Sequence, residues 1–256
     1  MKRVVVVPAR MASTRLPAKP LSDIEGTPMI VRVLERACAA GLDQVIAAVD
    51  DERVLRCVQQ AGHTAMMTAQ DHPSGSDRVA EVARALELHE DDVVINVQGD
   101  EPLVPPAAIK ALALRFEDAQ IEMATLSEPL ASAADYMNPN VVKVVADEAH
   151  NALYFSRAPI PYARDEMDDD GLSDQWVRDH GIARHVGMYG FRVRALLDFV
   201  ALPESPYEKI EKLEQLRWLQ AGKPLKVYAA SESIPGGVDT PQDLERVREL
   251  VRQAST

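Results

Sequence analysis

The chain has 256 residues, of which 46% are hydrophobic and 27% are charged, and its formal net charge at pH 7 is −12. This length permits one large α/β domain with a real core, and the acidic balance argues against nucleic acid or a membrane surface as a partner. The four valines before Pro8 are too few for a signal-peptide core and no apolar run could span a bilayer, so we expect a cytoplasmic protein.

In the first half of the chain, short apolar runs alternate with segments whose apolar residues recur at helical spacing. The apolar runs predict strands at residues 4–7, 45–49, 64–68 and 93–97. Helical spacing predicts helices at residues 27–41, 54–62 and around 79–86, and a fourth helix that begins near Pro105. Apolar strands separated by amphipathic helices indicate a mostly parallel sheet covered on both faces, with right-handed crossovers.

The second half of the chain has a less regular pattern. It predicts strands at residues 141–145, 152–156, 186–192 and 225–230, a helix near Tyr207–Gln220, and a final helix from Pro241. The stretch Arg164–Asp179 is polar and acidic, and we interpret its run DEMDDDG as a solvated loop and not as a metal site.

A cationic loop follows the first predicted strand. Arg10, Arg15 and Lys19 stand among small residues and prolines, with no acidic residue before Asp23. Ligands of parallel sheets gather beyond the carboxyl ends of the strands, where backbone N–H groups and arginines can hold phosphate oxygens. We therefore favour an anion site over a surface loop of solvated cations. The loop has neither GxGxxG nor GxxxxGK[ST], which argues against a dinucleotide or a Walker-type site.

Two acidic motifs add to this picture. NVQGDEP (Asn96–Pro102) directly follows a predicted central strand, where Asp100 could hold Mg²⁺ against phosphates or could simply cap a turn. In GGVDTP, Asp239 lies two residues before the start of the last predicted helix. Its spacing alone favours a helix N-cap over a ligand role.

Eight collinear blocks of sequence carry a resemblance to a known family. They are PARMASTRLPAKPL, SGSDR, NVQGDEP, NPNVVKVV, ALYFSRAPIP, HVGMYGFR, EKLEQLRWL and GVDTPQDLERV. Along nearly its whole length the chain resembles the 3-deoxy-manno-octulosonate cytidylyltransferases. The resemblance implies a three-layer, Rossmann-like nucleotidyltransferase fold in one domain of residues 1–256. It also implies a small β-rich sub-domain at about 130–195 that covers the sugar site and pairs two subunits as a homodimer.

The resemblance further implies a reaction and its residues. The anomeric hydroxyl of 3-deoxy-D-manno-octulosonate (Kdo) would attack the α-phosphorus of CTP, giving CMP-Kdo and pyrophosphate for lipopolysaccharide assembly. Arg10, Lys19 and Asp100 would be catalytic, and Asp100 and Asp239 would hold Mg²⁺, which replaces the N-cap interpretation of Asp239. The residues implied to bind nucleotide are Ala9, Arg10, Ser13, Arg15, Lys19, Ser74, Gly75 and Arg78.

The resemblance also implies a pocket for the acidic sugar. Arg157 in YFSR would bind the sugar carboxylate, since the guanidinium group matches a carboxylate bidentately. The remaining sugar residues are Gln98, His185, Tyr189 and Glu211, with Arg78 close to them. Where the family usually has Thr-Glu, this chain has Ser76-Asp77, and a helix N-cap is the competing role for Ser76.

Two other functions remain open on the sequence. The same chemistry could act on an 8-amino analogue of Kdo or on another acidic ulosonic sugar. A nucleotide-binding regulator without catalysis is the alternative from a different class, and the four residues Arg10, Lys19, Asp100 and Asp239 together argue against it. An NAD-dependent reductase is disfavoured because the glycine fingerprint is absent.

Overall fold

A computed structural model describes residues 1–13, 15–166 and 172–254. The strands are β1 (Arg3–Ala9), β2 (Asp23–Ile24), β3 (Thr27–Pro28), β4 (Gln44–Val49), β5 (Ala65–Met67), β6 (Val93–Asn96), β7 (Met123–Pro129), β8 (Lys143–Ala146), β9 (Ala152–Ser156), β10 (Ala183–Arg192) and β11 (Lys226–Ala229). The helices are α1 (Met29–Ala39), α2 (Glu52–Gln60), α3 (Gly75–Ala85), α4 (Pro106–Arg115), α5 (Ala133–Met137), α6 (Asp174–Asp179), α7 (Val193–Ala201), α8 (Pro206–Glu211), α9 (Leu216–Gln220) and α10 (Pro241–Ala254), and Lys19–Leu21 form a 3₁₀ turn.

The main sheet has the strand order β11-β7-β10-β6-β1-β4-β5, and β8 and β9 extend it from the end of β10. β1 pairs in parallel with β4 and β6, and β4 pairs in parallel with β5. β10 runs antiparallel to both of its neighbours, β6 and β7. The predicted α/β class with a mostly parallel sheet is therefore confirmed, and the carboxyl ends of β1, β4 and β6 meet at one edge.

Helices cover both faces of this sheet. Successive side chains of β1 point to opposite faces, so they pack into a separate apolar core on each face. Val5 and Val7 pack into one cluster of buried apolar residues, while Val4 and Val6 pack into the other. All four valines have no exposed surface. A strand that buries both faces needs an unbroken apolar run, which is why VVVV precedes the charged loop.

Several features differ from the prediction, and helices α5, α6 and α7 were not predicted. Strand β7, which lies between β11 and β10, was not predicted, because its sequence MATLSEP mixes polar and apolar residues. The single helix predicted near Tyr207–Gln220 is wrong. The chain leaves the helix at Lys212, whose φ of 53° is left-handed, and α8 and α9 are separate helices.

A smaller apolar cluster forms within residues 130–182, inside the range of about 130–195 that is predicted to be a sub-domain. It joins Leu130, Tyr136, Val177 and Ile182, apart from the two cores of the main sheet. The boundaries of the sub-domain stay a prediction, and Met167–Gly171 of the acidic run lie outside the described residues. Among the residues that the structure does describe, no helix has the length and apolar character needed to cross a membrane.

Candidate active site

The cationic loop leaves the sheet edge directly after β1. Ala9 is buried at the end of the strand, and Arg10 is exposed just beyond it. The loop is anchored by a hydrogen bond of 2.9 Å from the backbone N–H of Met11 to Oδ1 of Asp50. The Ser13 hydroxyl accepts a bond of 3.3 Å from a backbone N–H further along the loop.

Lys19 joins this loop to two distant carboxylates. Its Nζ donates to Oδ2 of Asp100 at 2.5 Å and to Oδ1 of Asp239 at 3.0 Å. Arg15 also contacts Asp239, with Nη2 3.2 Å from Oδ1. Burial by itself would lower the pKa of Lys19, but the charges and hydrogen bonds of both aspartates outweigh it and raise that pKa. The ammonium group therefore stays charged between the two acids.

Asp239 is free to face the loop because Thr240 caps the last helix. The Thr240 hydroxyl oxygen accepts a bond of 3.2 Å from the backbone N–H of Asp243. In return, Oδ2 of Asp243 accepts bonds from the backbone N–H groups of Asp239 and Thr240, at 3.1 and 2.9 Å. This reciprocal pair is a capping box, so the N-cap role that spacing suggested for Asp239 is wrong.

A third carboxyl group lies next to the aspartates. Burial, and then the neighbouring charge of Asp100, raises the pKa of Glu101 to about 8. Its Oε2 has no hydrogen-bond partner within the described part of the chain. The chain carrying Asp239 passes close by, since the backbone N–H of Val238 donates to the carbonyl oxygen of Asp100 at 2.8 Å. At Gly237 a Cβ would lie 2.9 Å from Oε1 of Glu101, so a residue without a side chain is needed there.

Two adjoining cavities open beside these residues. The smaller cavity, of about 390 Å³, is lined by Ser13, Arg15, Lys19, Gln98, Asp100 and Asp239, among others. The larger, of about 650 Å³, is lined by residues that include Ser74, Gly75, Lys212, Glu214 and Arg217. Arg10 lines both. Cations and carboxylates thus converge in the smaller cavity, as a polyanion with a counter-cation would require.

The SGSDR segment begins α3 at the edge of the larger cavity. The hydroxyl oxygen of Ser74 accepts a bond of 3.3 Å from the backbone N–H of Asp77, so Ser74 is the N-cap. The N-cap alternative for Ser76 is therefore wrong, and its hydroxyl instead donates to Oε2 of Glu214 at 3.0 Å. A Cβ at Gly75 would lie 3.7 Å from Cγ of Pro8, so α3 starts close against the end of β1.

Arg78 is not among the described residues that line either cavity. It has no exposed surface. Its guanidinium donates to Oδ2 of Asp50 at 3.2 Å and to the hydroxyl of Thr68. The predicted contact of Arg78 with substrate stays a prediction, while its contacts in the structure are with protein.

Arg157 and Glu211 contact each other at the junction of β9 and α8. The guanidinium of Arg157 donates to the carbonyl oxygens of Glu211, Pro139 and Lys212, at 2.7, 3.0 and 3.4 Å. The carboxylate of Glu211 accepts bonds from the Ser156 hydroxyl at 2.6 Å and from the backbone N–H of Arg157 at 2.9 Å. Arg157 and Glu211 are connected to the larger cavity through Lys212, which follows Glu211 in the chain and lines that cavity.

His185 and Tyr189 lie on β10 with aromatic neighbours. Nε2 of His185 is 3.1 Å from the hydroxyl of Thr125, and the imidazole packs edge-on against Phe155 with ring centres 5.0 Å apart. Burial, and then the charge of Arg184, lowers the pKa of His185 to about 3. The Tyr189 hydroxyl is buried with no hydrogen-bond partner among the described residues, and burial raises its pKa.

Sequence reasoning missed Glu214 and Arg217, which line the larger cavity. Burial raises the pKa of Glu214. Arg217 donates to Oε2 of Glu208 at 2.9 Å, and both side chains are largely buried. The sequence EKLEQLR does have a charged residue at every third position, which could have indicated these side chains. The prediction of one continuous helix hid this signal, because the break at Lys212 changes which side chains face the cavity.

Comparison with known proteins places these residues in one family. Residues 4–230 match the family model described as Cytidylyltransferase. The chain is 49% identical over 255 residues to a 3-deoxy-manno-octulosonate cytidylyltransferase of Cellvibrio japonicus (strain Ueda107), covering 98% of each chain. It is 47% identical over 256 residues to a protein of the same name from Saccharophagus degradans (strain 2-40), covering 99% of this chain and 100% of that one.

A solved structure is similar over the same length. It is a CMP:2-keto-3-deoxy-manno-octonic acid synthetase complexed with CTP, and it superposes with a TM-score of 0.88 at 42% identity. The match covers 99% of this chain and 100% of that one. The similarity therefore includes both halves of the fold, with the segments that carry Lys19, Asp100 and Asp239.

Proposed function

This chain belongs to the 3-deoxy-manno-octulosonate cytidylyltransferase family, and on that premise we propose that it transfers the cytidylyl group of CTP to Kdo. One observation carries the proposal beyond the likeness of sequence. Lys19 of the cationic loop holds Asp100 and Asp239 together at the carboxyl edge of the sheet, inside a cavity lined by further cations. Such a cavity suits a triphosphate.

The proposed reaction is an in-line displacement at phosphorus. The anomeric oxygen of Kdo forms a bond to the α-phosphorus of CTP, and the bond between that phosphorus and the bridging oxygen of pyrophosphate breaks. The hydroxyl proton is lost to solvent or to a carboxylate of the site. The protein's task is positioning and charge compensation, for which Arg10, Arg15 and Lys19 supply the cations. Removing one such donor typically costs on the order of 10²–10³ in rate.

We propose Mg²⁺ as the cofactor, held by Asp100 and Asp239. The two residues fit a divalent ion because both carboxylates already bond one positive group, the ammonium of Lys19. No cluster of three or more metal-ligating side chains occurs among the described residues. Magnesium commonly binds one or two carboxylates and completes its shell with phosphate oxygens and water. When bound, it would offset phosphate charge and orient the triphosphate.

The two cavities suggest how the substrates are arranged. The smaller would take the triphosphate, and the larger has room for the nucleoside and the sugar acid, which would meet near Arg10. Ser74 and Gly75 line the larger cavity on the side of α3, where the cytidine is proposed to bind. A substrate that reaches both cavities would bring its α-phosphate to Arg10.

We also propose that the protein works as a homodimer in the cytoplasm, in lipopolysaccharide biosynthesis. Pairing through the predicted sub-domain is supported by exposed apolar side chains in that range, at Met137, Leu153 and Tyr162. Leu153 keeps 62% of its surface exposed, which is unusual for a leucine in a strand. The cellular location follows from the substrate, because CTP is a metabolite of the cytoplasm.

The test is to incubate the purified protein with CTP, Mg²⁺ and a panel of acidic sugars and to follow pyrophosphate release. The proposal expects release with Kdo and formation of CMP-Kdo. Release only with the 8-amino analogue or another ulosonic acid would keep the chemistry and change the substrate. Binding of CTP without release for any sugar would favour a nucleotide-binding regulator instead.

A further inference from the structure

Asp50 has no role in the reaction as described above, yet it forms hydrogen bonds with three segments that lie next to the site. It follows directly after β4 and is 7% exposed. Oδ1 accepts the backbone N–H of Met11 at 2.9 Å, and Oδ2 accepts the guanidinium of Arg78 at 3.2 Å. Its own carbonyl oxygen accepts a bond from Nε2 of Gln70 at 3.1 Å. Both carboxylate oxygens are therefore engaged, each by a different segment.

Arg78 also connects Asp50 to the segment that follows β5. Nη1 donates to the hydroxyl of Thr68, which in turn donates to the carbonyl oxygen of Val49 at 2.9 Å. The backbone N–H of Thr68 donates to the same carbonyl at 2.8 Å. The segment after β5 is thus fixed to the end of β4 next to Asp50. Arg78 could reach a substrate only by leaving a buried carboxylate without its partner, which is costly.

The three segments held at Asp50 carry residues that line the cavities. Met11 follows Arg10, which lines both cavities. Gln70 lies in the segment that leads to Ser74 and Gly75 at the start of α3. Arg78 lies one turn further along α3, so it sets where that helix begins relative to β1. Together these bonds fix the distance between the cationic loop and the first turn of α3.

We propose that Asp50 is a positioning residue for nucleotide binding, acting through Met11 and Arg78. Its carboxylate holds Arg10 at a fixed separation from Ser74 and Gly75, so that one nucleotide can contact both. Arg78 is then the partner of Asp50 and not a contact of the substrate. This inference rests on the proposed function for the identity of the nucleotide, which is CTP.

The test is a double-mutant cycle with Asp50→Asn and Arg78→Gln. The asparagine keeps the size of Asp50 but loses the charge that pairs with Arg78. Each single variant is expected to raise the Kd for CTP, measured by calorimetry, about tenfold or more. The double variant should be no weaker than the worse single variant, because both changes remove one interaction. Asp51→Asn is the matched control, since that neighbouring carboxylate caps α2 and bonds Arg53.

Hydrogen exchange separates positioning from general loss of stability. In Asp50→Asn, exchange should rise in peptides covering residues 10–20 and 68–78 and stay unchanged in β6. Additive effects on Kd, or a uniform rise in exchange, would overturn the proposal. If Asp50→Asn does not fold, Arg78→Lys tests the same contact, because lysine has one nitrogen where arginine uses Nη1 for Thr68 and Nη2 for Asp50. CTP binding is read without sugar, so a failure of the proposed transfer to Kdo leaves this result interpretable.

Discussion

Asp100 and Asp239 accept hydrogen bonds from one nitrogen, although Asp100 follows a strand in the first half of the chain and Asp239 precedes the last helix. Lys19 Nζ makes both bonds, at 2.5 and 3.0 Å. A shared cation offsets the repulsion that two carboxylates would otherwise exert on each other. Two carboxylates against one ammonium group leave a net negative charge, which can attract a further cation.

Asp100→Asn should reduce turnover by about 10³-fold or more while the protein stays folded, because an amide cannot replace a charged metal ligand. Pyrophosphate release with CTP, Mg²⁺ and Kdo measures turnover, and thermal unfolding checks the fold. Asp198→Asn, on the exposed side of α7, is the control and should retain full activity. Near-normal turnover in Asp100→Asn would show that the metal assignment is wrong.

Lys19→Met should tighten the binding of a divalent ion when no nucleotide is present. The ammonium of Lys19 competes for the same two carboxylates, so its removal frees them. We expect the Kd for Mn²⁺, used as a probe for Mg²⁺, to fall by about tenfold, which corresponds to about 1.4 kcal/mol. Calorimetry or the spin resonance of Mn²⁺ gives the Kd, with the exposed Lys110→Met as control. Weaker binding in Lys19→Met would contradict competition at this pair.

Gly237→Ala should lower turnover by at least about tenfold through displacement of Asp239. A Cβ at this position would lie 2.9 Å from Oε1 of Glu101 and 3.0 Å from the carbonyl oxygen of Asp100, so the backbone must shift. At the adjacent Gly236 the nearest atom is Nη2 of Arg246, at 3.8 Å, and Gly236→Ala should be tolerated. Equal activity of the two variants would mean that this close approach does not matter.

Arg157→Lys should raise the KM for the sugar acid more than it changes kcat. Lysine keeps the charge but cannot form the fork that binds a carboxylate or that now donates to three carbonyl oxygens. Steady-state kinetics with each substrate varied in turn makes the distinction, with unfolding temperature as the control for lost packing. A raised KM for CTP alone would move Arg157 to the nucleotide side of the site.

His185 should make folding stability fall as the solution becomes acidic. Its pKa is about 3 in the folded protein, against an ordinary value of 6.5. Above pH 6.5 neither state binds the proton, so His185 has no effect there. Between pH 6.5 and 3 the unfolded chain takes up the proton first, and the free energy of unfolding drops by about 1.4 kcal/mol per pH unit.

The variant His185→Gln isolates this contribution, because the amide can still bond the hydroxyl of Thr125. Urea unfolding at pH 8, 7, 6 and 5 gives the free energy of unfolding for both proteins. Relative to wild type, the variant should gain stability at pH 6 and 5 and show a constant difference at pH 7 and 8. The same pH dependence in both proteins would mean that His185 takes up a proton in the folded state.

Patterns that depend on neighbouring residues were predicted well. The apolar run before the cationic loop indicated a strand buried on both faces, and β1 is one. The strand before Asp100 was predicted at residues 93–97 and spans Val93–Asn96. Arg10 and Asp100, which follow these two strands, line the same cavity because parallel strands terminate at the same edge of the sheet.

Contacts between distant segments were decided only by the tertiary structure. Spacing favoured Asp239 as a helix cap, whereas Thr240 caps the helix and Asp239 turns to Lys19. The sequence SGSDR gave no sign that the guanidinium of Arg78 would be buried against Asp50. The periodicity of a sequence indicates which face of its own helix or strand each residue lies on, and whether that face is buried. Which carboxylate meets which cation depends on how strands and helices from remote parts of the chain pack together, and that is set by the whole core at once.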